Sequence, residues 1–168
     1  MHFRLACIQD LPQLKAMYRD IIQEMNDNRI QIWDEIYPCN LFDEDIKNKR
    51  LYVFVENDNL ISAFALCDTN SGAQKVNWQD NRSKALYLDR LGVNVSYKRM
   101  GIGSRMLEKA KETAKKAGAE YLRLFVVDIN KPAIHLYTKN GFTMADGVYD
   151  EFIDDDLTLH EYGFEAAL

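Results

Sequence analysis

The sequence predicts an α/β protein whose mixed central sheet is flanked by helices. Apolar, β-branched runs suited to strands recur between stretches whose apolar residues have helical spacing. At the centre, a strand-like run Ala85–Val95, a helical stretch after Gly101 and a second strand-like run Tyr121–Val127 form a strand–helix–strand unit. Upstream, Asn57-Asp58-Asn59 between two apolar runs indicates a hairpin. Together these features predict a mostly antiparallel sheet of about six to seven strands with about four helices.

The other elements follow from the same patterns, and no linker or repeat interrupts them, so a single domain over residues 1–168 is predicted. Asp10 is placed to cap the first helix, whose apolar residues form one stripe. The remaining elements predicted are a strand at Phe3–Ile8, a short helix at Asp43–Lys49, strands at Leu51–Glu56 and Leu60–Cys67, a loop over Asp68–Ser83, a strand at Phe142–Met144 and two closing strands joined near Asp154.

Composition excludes several classes of function. A net charge of −5 argues against a nucleic-acid surface and favours cationic substrates. Cys7, Cys39 and Cys67 have neither metal-ligand spacing nor a paired framework, so no metal site is expected and a reducing compartment is favoured. The start of the chain lacks the apolar core of a signal peptide, and no apolar stretch is long enough for a membrane span. We therefore expect a cytoplasmic protein without a membrane partner.

The turn Lys98–Ser104 joins the central strand to its helix and predicts an anion site. Gly101 and Gly103 allow close backbone approach, and the first amides of the helix lack partners within it. Those amides, with the positive end of the helix dipole, favour a phosphate group. A P-loop is excluded because no lysine follows the second glycine. A dinucleotide fingerprint is excluded because Met106 occupies its third small position.

A second motif runs from Asn130 to Phe142 and predicts a short helix with both ends marked. Asn130 is a favourable N-cap, Pro132 suits the first turn, and Gly141 suits the left-handed residue that ends a helix. Packing alone would also account for Tyr137 in such a helix. The glycine turn upstream favours a functional role instead.

These two motifs resemble those of the GNAT acyltransferases. The first is similar to the family's Gln/Arg-x-x-Gly-x-Gly/Ala motif, with Lys98 standing where Gln or Arg is usual. The second closely resembles the family's Asn-x-x-Ala-x-x-Leu-Tyr-x-x-x-Gly-Phe segment. The resemblance covers most of the chain. It implies the GNAT fold, acetyl-CoA as cosubstrate, and the activity of an acetyl-CoA-dependent N-acetyltransferase.

The resemblance also implies site residues. The turn would hold the coenzyme's pyrophosphate, and the pantetheine arm would pair with the central strand, where Gly92 marks a bulge or a close backbone approach. Asn130 would contact the arm, and the Tyr137 hydroxyl would lie near the sulfur. The implied coenzyme-binding residues are Leu91, Gly92, Val93, Val95, Lys98, Arg99, Met100, Gly101, Ile102, Gly103, Ser104, Asn130, Ala133 and Tyr137.

Acetyl transfer to an amine requires proton transfers. An alkyl amine with a pKa of about 10.4 is the free nucleophile in fewer than about one molecule in a thousand at pH 7, so a base is expected. Asp89, within an apolar strand, is the best candidate, although pairing with a nearby cation is an equally good interpretation. Glu24 and Asp34 are weaker alternatives. Tyr137 is suited to protonate the leaving thiolate.

The sequence indicates the chemical class of the acceptor substrate but not its identity. In relatives the first two helices and their connection shape the acceptor site, here including Trp33 and Tyr37. A small-molecule or peptide primary amine is expected, attacking directly in a ternary complex, with the protein a monomer or a homodimer. One alternative is a non-catalytic acyl-CoA-binding sensor or interaction module, and another is a plain α/β interaction domain.

Overall fold

The structure is a computed structural model that describes residues 1–168. It contains four α-helices and eight strands, most of them at the predicted places. In chain order they are β1 (His2–Leu5), α1 (Leu11–Asp27), α2 (Phe42–Lys47), β2 (Leu51–Glu56), β3 (Asn59–Cys67), β4 (Ala85–Val93), α3 (Ile102–Lys116), β5 (Tyr121–Val127), α4 (Lys131–Lys139), β6 (Thr143–Met144), β7 (Tyr149–Asp154) and β8 (Leu157–Ala167).

The strands confirm the predicted mixed, mostly antiparallel sheet. Their hydrogen-bonded order is β1-β2-β3-β4-β5-β8-β6, with β7 also paired to β8. The pair β4–β5 is parallel, as expected for the strand–helix–strand unit. The sheet has eight strands rather than six to seven, and β6 contributes only two residues through its pairs with β8. None of the helices is both long and apolar enough to cross a membrane.

The chain divides into two compact units. The first contains Met1–Leu66 and Arg90–Met106, and the second contains Cys67–Asp89 and Leu107–Leu168. Both β4 and α3 therefore contribute residues to each unit. The expectation of a single domain stays a prediction.

Three predicted local details are wrong. The first strand ends at Leu5 rather than Ile8, because Ile8–Asp10 forms a 3₁₀ turn. Asp10 makes no side-chain cap to α1, since its carboxylate accepts hydrogen bonds from Arg4 (2.6 and 2.8 Å) and from the Cys7 amide (2.8 Å). The central strand ends at Val93 rather than Val95.

Aromatic packing organises the first unit around Tyr18 of α1. The Tyr18 ring is fully buried against Trp33 (5.6 Å between centroids) and Phe42 (4.8 Å). The β2–β3 hairpin turns at Asn57 and Asp58, which have φ values of 48° and 63°. This left-handed pair matches the expected hairpin chemistry.

A buried ion pair organises the second unit. Arg123 of β5 lies against Glu165 of β8 (3.2 Å) and under the Trp78 ring (4.6 Å from its centroid). The Trp78 ring also fills the space above Gly163, where an added Cβ would lie 2.8 Å from the indole. The segment before β4 is therefore packed on one face of β5 and β8.

Strand β4 departs from regular geometry at Arg90, which is buried and has a φ of 56°. Its guanidinium donates two hydrogen bonds to Asp45, at 2.9 and 3.0 Å, and Asp45 is fully buried. Its carbonyl accepts a hydrogen bond from the Tyr18 hydroxyl. A left-handed conformation is unfavourable for arginine, so these contacts must compensate for it.

The parallel ladder between β4 and β5 is short. It consists of the pairs Ala85–Tyr121, Leu86–Leu122 and Tyr87–Arg123. Both strands continue beyond these pairs, to Val93 and Val127. The pairing therefore stops before Arg90, and the last part of β4 has an edge that β5 does not cover.

Replacing Asp45 with alanine should destabilise the protein strongly. The buried Arg90 guanidinium would lose its charge partner, and breaking such a pair costs about 3–5 kcal/mol. Arg50, which also binds Asp45 (2.6 Å) but has a side chain 30% exposed, provides the matched control. Arg50→Ala should cost about 1 kcal/mol or less. Urea unfolding measures both values, and equal losses in the two variants would contradict the assigned role of Asp45.

Candidate functional site

The uncovered edge of β4 is formed by the backbone of Leu91 and Val93. On the opposite edge, the Asn94 amide donates to the Ile61 carbonyl (2.9 Å), and the Gly92 carbonyl accepts from the Ser62 hydroxyl (2.7 Å). Because backbone groups alternate along a strand, those of Leu91 and Val93 point away from β3. These are two of the positions predicted to line the pantetheine arm.

Glycine is required at position 92 because the Tyr18 side chain approaches its backbone closely, not because the strand has a β-bulge at this residue. An added Cβ would lie 2.8 Å from Cζ and 2.9 Å from the hydroxyl of Tyr18. The left-handed residue in β4 is its neighbour Arg90. Val95 lies outside the strand, in a 3₁₀ turn whose N-cap Asn94 accepts a hydrogen bond from the Ser96 amide (3.0 Å). Val95 therefore lies beyond the strand, and its expected contact with the coenzyme stays a prediction.

The predicted phosphate turn precedes α3 as expected. Arg99 and Gly101 have φ values of 62° and 75°, and α3 begins at Ile102. A Cβ on Gly101 would meet no heavy atom within 4 Å, so the turn opens into empty space. Met100 is 64% exposed. Gly103 and Ser104 lie in the first turn of α3, the end at which a helix carries positive dipole charge.

Lys98 has a different environment from the one expected of a phosphate ligand. Its ammonium pairs with the carboxylate of Glu24 on α1. Burial and the nearby Arg99 charge lower the pKa of Lys98. The positive charge of Lys98 is thus already matched, and the same contact occupies Glu24, one of the weaker candidates for the base. Asp34, the other, accepts hydrogen bonds from the Ile36 and Tyr37 amides.

Helix α4 has the ends that its sequence predicts. The Asn130 side chain accepts a hydrogen bond from the Ala133 amide (3.3 Å), and Gly141 is left-handed with a φ of 80°. Tyr137 is 9% exposed, and its ring contacts Phe142 and Phe164. Burial raises the pKa of Tyr137, as does the nearby Asp89 charge, so the phenol keeps its proton at neutral pH.

Asp89 is half-buried near the end of the β4–β5 ladder. Its carboxylate accepts a hydrogen bond from the Asn70 side chain (3.3 Å). Asn70 belongs to the loop between β3 and β4, and residues of this loop, together with Tyr87 of β4, line a pocket of about 370 Å³. Asp89 is therefore hydrogen-bonded to a residue that lines this pocket.

The two predicted acceptor residues differ in exposure. Trp33 is half-buried and packs on Tyr18, so part of its role is structural. Tyr37 is 39% exposed. Both lie in the first unit, with the β4 edge and the phosphate turn, whereas Asp89, Asn130 and Tyr137 lie in the second.

Sequence patterns missed two glutamates, Glu151 of β7 and Glu161 of β8. In the antiparallel register Glu161 lies opposite Tyr149, and Glu151 lies opposite Leu159, so the two glutamates are diagonal neighbours on one face. Burial first, and then the hydrogen bond and charge of Glu151, raise the pKa of Glu161. The residues are distant enough along the chain that only the strand register could reveal the pair.

Comparison with known proteins supports the resemblance. Residues 14–142 match the model of the acetyltransferase (GNAT) family. An N-alpha-acetyltransferase of Sulfurisphaera tokodaii is 30% identical over 129 residues, which are 76% of this chain and 77% of that protein. The thialysine N-epsilon-acetyltransferase of Bos taurus is 33% identical over 84 residues, 48% of this chain; the match spans about half of the bovine protein (49%).

Comparison of the fold with solved structures agrees with the family match. A GNAT-family acetyltransferase of Streptococcus agalactiae superposes with a TM-score of 0.81, covering 99% of this chain and 95% of that one at 18% identity. The chain belongs to the GNAT acetyltransferase family.

The cap of α4 gives a stability test. Asn130→Ala removes the oxygen that accepts the Ala133 amide and should lower the free energy of unfolding by about 1 kcal/mol. Asn130→Ser keeps a capping oxygen on a shorter side chain and should lose much less. Urea denaturation of both variants checks this, and an equal loss in the serine variant would show that Asn130 does not stabilise α4 as a cap.

Proposed function

We propose that this protein is an acetyl-CoA-dependent N-acetyltransferase whose acceptor is a primary amine. The observation that carries the proposal is the end of β4, where an uncovered strand edge is followed by an open left-handed turn and the start of α3. An extended chain that carries amide groups and ends in a diphosphate fits a free strand edge followed by such a turn. The pantetheine arm of coenzyme A, with its pyrophosphate, is a chain of this kind.

Roles for individual residues follow from this fit. The backbone of Leu91 and Val93 pairs with the amides of the pantetheine arm. The backbone at Gly101–Ser104 binds the pyrophosphate, and Arg99 rather than Lys98 supplies positive charge, because Lys98 already pairs with Glu24. Asn130 contacts the arm, and Ala133 leaves room for it.

Tyr137 acts as the general acid. When the amine nitrogen attacks the thioester carbonyl, a nitrogen–carbon bond forms and the carbon–sulfur bond then breaks. The substrate ammonium loses two protons in the overall reaction, and one of them ends on sulfur. Tyr137 donates the proton that neutralises the leaving thiolate, which its raised pKa allows because the phenol remains protonated, and the proton still held by the attacking nitrogen then restores the phenol. Asp89 accepts the other proton and releases it to solvent.

The acceptor class rests on charge and on the relatives. The bovine and archaeal relatives are named for acetylation of an N-epsilon and an N-alpha amine, respectively. A net charge of −5 favours a cationic acceptor. We place the reaction in the cytoplasm, in keeping with three cysteines that form no disulfide.

Gly101→Glu should abolish acetyl-CoA binding. The new carboxylate would project into the space proposed for the pyrophosphate and repel it. Gly118→Glu is the matched control, because Gly118 follows α3, has a φ of 81° and also has room for a Cβ. Both variants carry similar backbone strain. Calorimetry should detect acetyl-CoA binding to wild type and Gly118→Glu but not to Gly101→Glu; retained binding by Gly101→Glu would refute the pyrophosphate assignment.

Tyr137→Phe should lower kcat by about 100-fold or more with little change in acetyl-CoA affinity, since it removes only the proton donor. Release of free thiol from acetyl-CoA across a panel of primary amines measures turnover. Tyr52→Phe, on β2, is the control and should leave turnover unchanged. An unaltered single-turnover rate in Tyr137→Phe would remove Tyr137 from the mechanism, and coenzyme binding without turnover of any amine would favour a binding module.

A further inference from the structure

A pocket of about 370 Å³ lies in the second unit, between the loop that precedes β4 and Tyr87 of β4. Seven of the eight residues that line it have polar side chains, and Ala73 is the exception. The volume lies within the range of about 300–1,000 Å³ that is typical of small-molecule sites. An apolar ligand would leave the polar lining without hydrogen-bond partners. The pocket therefore suits a small hydrophilic molecule.

The loop that forms the pocket wall is held in place by its own contacts. The Asn70 side-chain oxygen accepts a hydrogen bond from the Gly72 amide (2.9 Å), and the Trp78 indole donates to the Ala73 carbonyl (2.7 Å). Gly72 packs so closely that an added Cβ would lie 2.6 Å from the Tyr149 ring. A ligand that enters the pocket therefore has little backbone to order on binding.

Two opposite charges line this pocket, the carboxylate of Asp68 and the ammonium of Lys75. Both side chains are exposed, and neither forms an ion pair with the other or with a third residue. A carboxylate accepts hydrogen bonds from an ammonium group, and a lysine ammonium donates them to a carboxylate. The pair of charges thus complements a ligand that carries one ammonium and one carboxylate, as the head group of a free α-amino acid does.

Asn70 connects the pocket to the proposed proton acceptor. Its side chain lines the pocket, and its oxygen is engaged by the Gly72 amide. The amino group of the same side chain donates to the Asp89 carboxylate (3.3 Å). Asp89 therefore lies one hydrogen bond away from the pocket lining. A ligand whose head group occupies the pocket can extend a side chain past Asn70 towards Asp89.

We propose that this pocket binds the head group of a free diamino acid of the lysine type, which is the acceptor. Asp68 binds the α-ammonium, Lys75 binds the α-carboxylate, and the side-chain amine lies beside Asp89, where it is acetylated. A lysine within a peptide has its α-nitrogen and its carboxyl carbon in amide bonds, so it lacks both head-group charges. This inference rests on the proposed function and names its acceptor.

Three probes separate the two head-group contacts. L-lysine has both charges, 1,5-diaminopentane lacks the carboxylate, and 6-aminohexanoate lacks the α-ammonium. Calorimetry without coenzyme should show that L-lysine binds wild type about tenfold or more tightly than either of the others.

The variants Lys75→Gln and Asp68→Asn assign each contact to one side chain. Lys75→Gln should weaken L-lysine binding about tenfold or more and leave 1,5-diaminopentane binding unchanged. Asp68→Asn should weaken L-lysine binding to a similar extent and leave 6-aminohexanoate binding unchanged. Lys115→Gln removes an exposed lysine of α3 outside the pocket and should bind all three probes like wild type.

Absence of L-lysine binding to wild type, equal affinity for the three probes, or unchanged L-lysine binding by Lys75→Gln would overturn the proposal. Both substituted side chains are exposed, and thermal unfolding of each variant establishes that it folds. Calorimetry with acetyl-CoA on the same wild-type sample tests the proposed function separately. Failure to bind the coenzyme would refute that function, while the L-lysine titrations would still decide whether the pocket recognises the head group.

Discussion

The buried contact between Arg90 and Asp45 is the constraint on which the proposed coenzyme site depends. Together with the Tyr18 hydroxyl on the Arg90 carbonyl, it holds a non-glycine residue in a left-handed conformation within a strand. A strand bent in this way cannot continue a regular ladder, and the β4–β5 pairs end at Tyr87. The unpaired edge at the end of β4 is thus a consequence of side-chain contacts buried elsewhere in the first unit.

The two residues proposed for proton transfer lie in different surroundings. Tyr137 is buried among aromatic rings and keeps its proton, which suits a donor. Asp89 is a half-buried carboxyl group that accepts a hydrogen bond from Asn70, which suits the proposed proton acceptor. In the turn proposed to bind the pyrophosphate, the charge of Lys98 is already matched by Glu24.

Local sequence signals predicted much of this arrangement. The glycine turn before α3 and the caps of α4 depend on residues close together in the chain, so their patterns could be recognised directly. The left-handed Arg90 could not, because its conformation depends on Asp45, which is remote in sequence. The Lys98–Glu24 pair and the Glu151–Glu161 pair could not be predicted from the sequence for the same reason. Their contacts follow from tertiary packing and strand register, which periodicity does not encode.

Amide hydrogen exchange at the end of β4, measured by NMR with and without acetyl-CoA, tests the central claim most directly. If the pantetheine arm pairs with the uncovered edge, the Leu91 and Val93 amides will exchange more slowly in the complex. The Asn94 amide, already bonded to Ile61, will change little. Acetyl-CoA binding detected by calorimetry, with exchange at Leu91 and Val93 unchanged, would contradict the account.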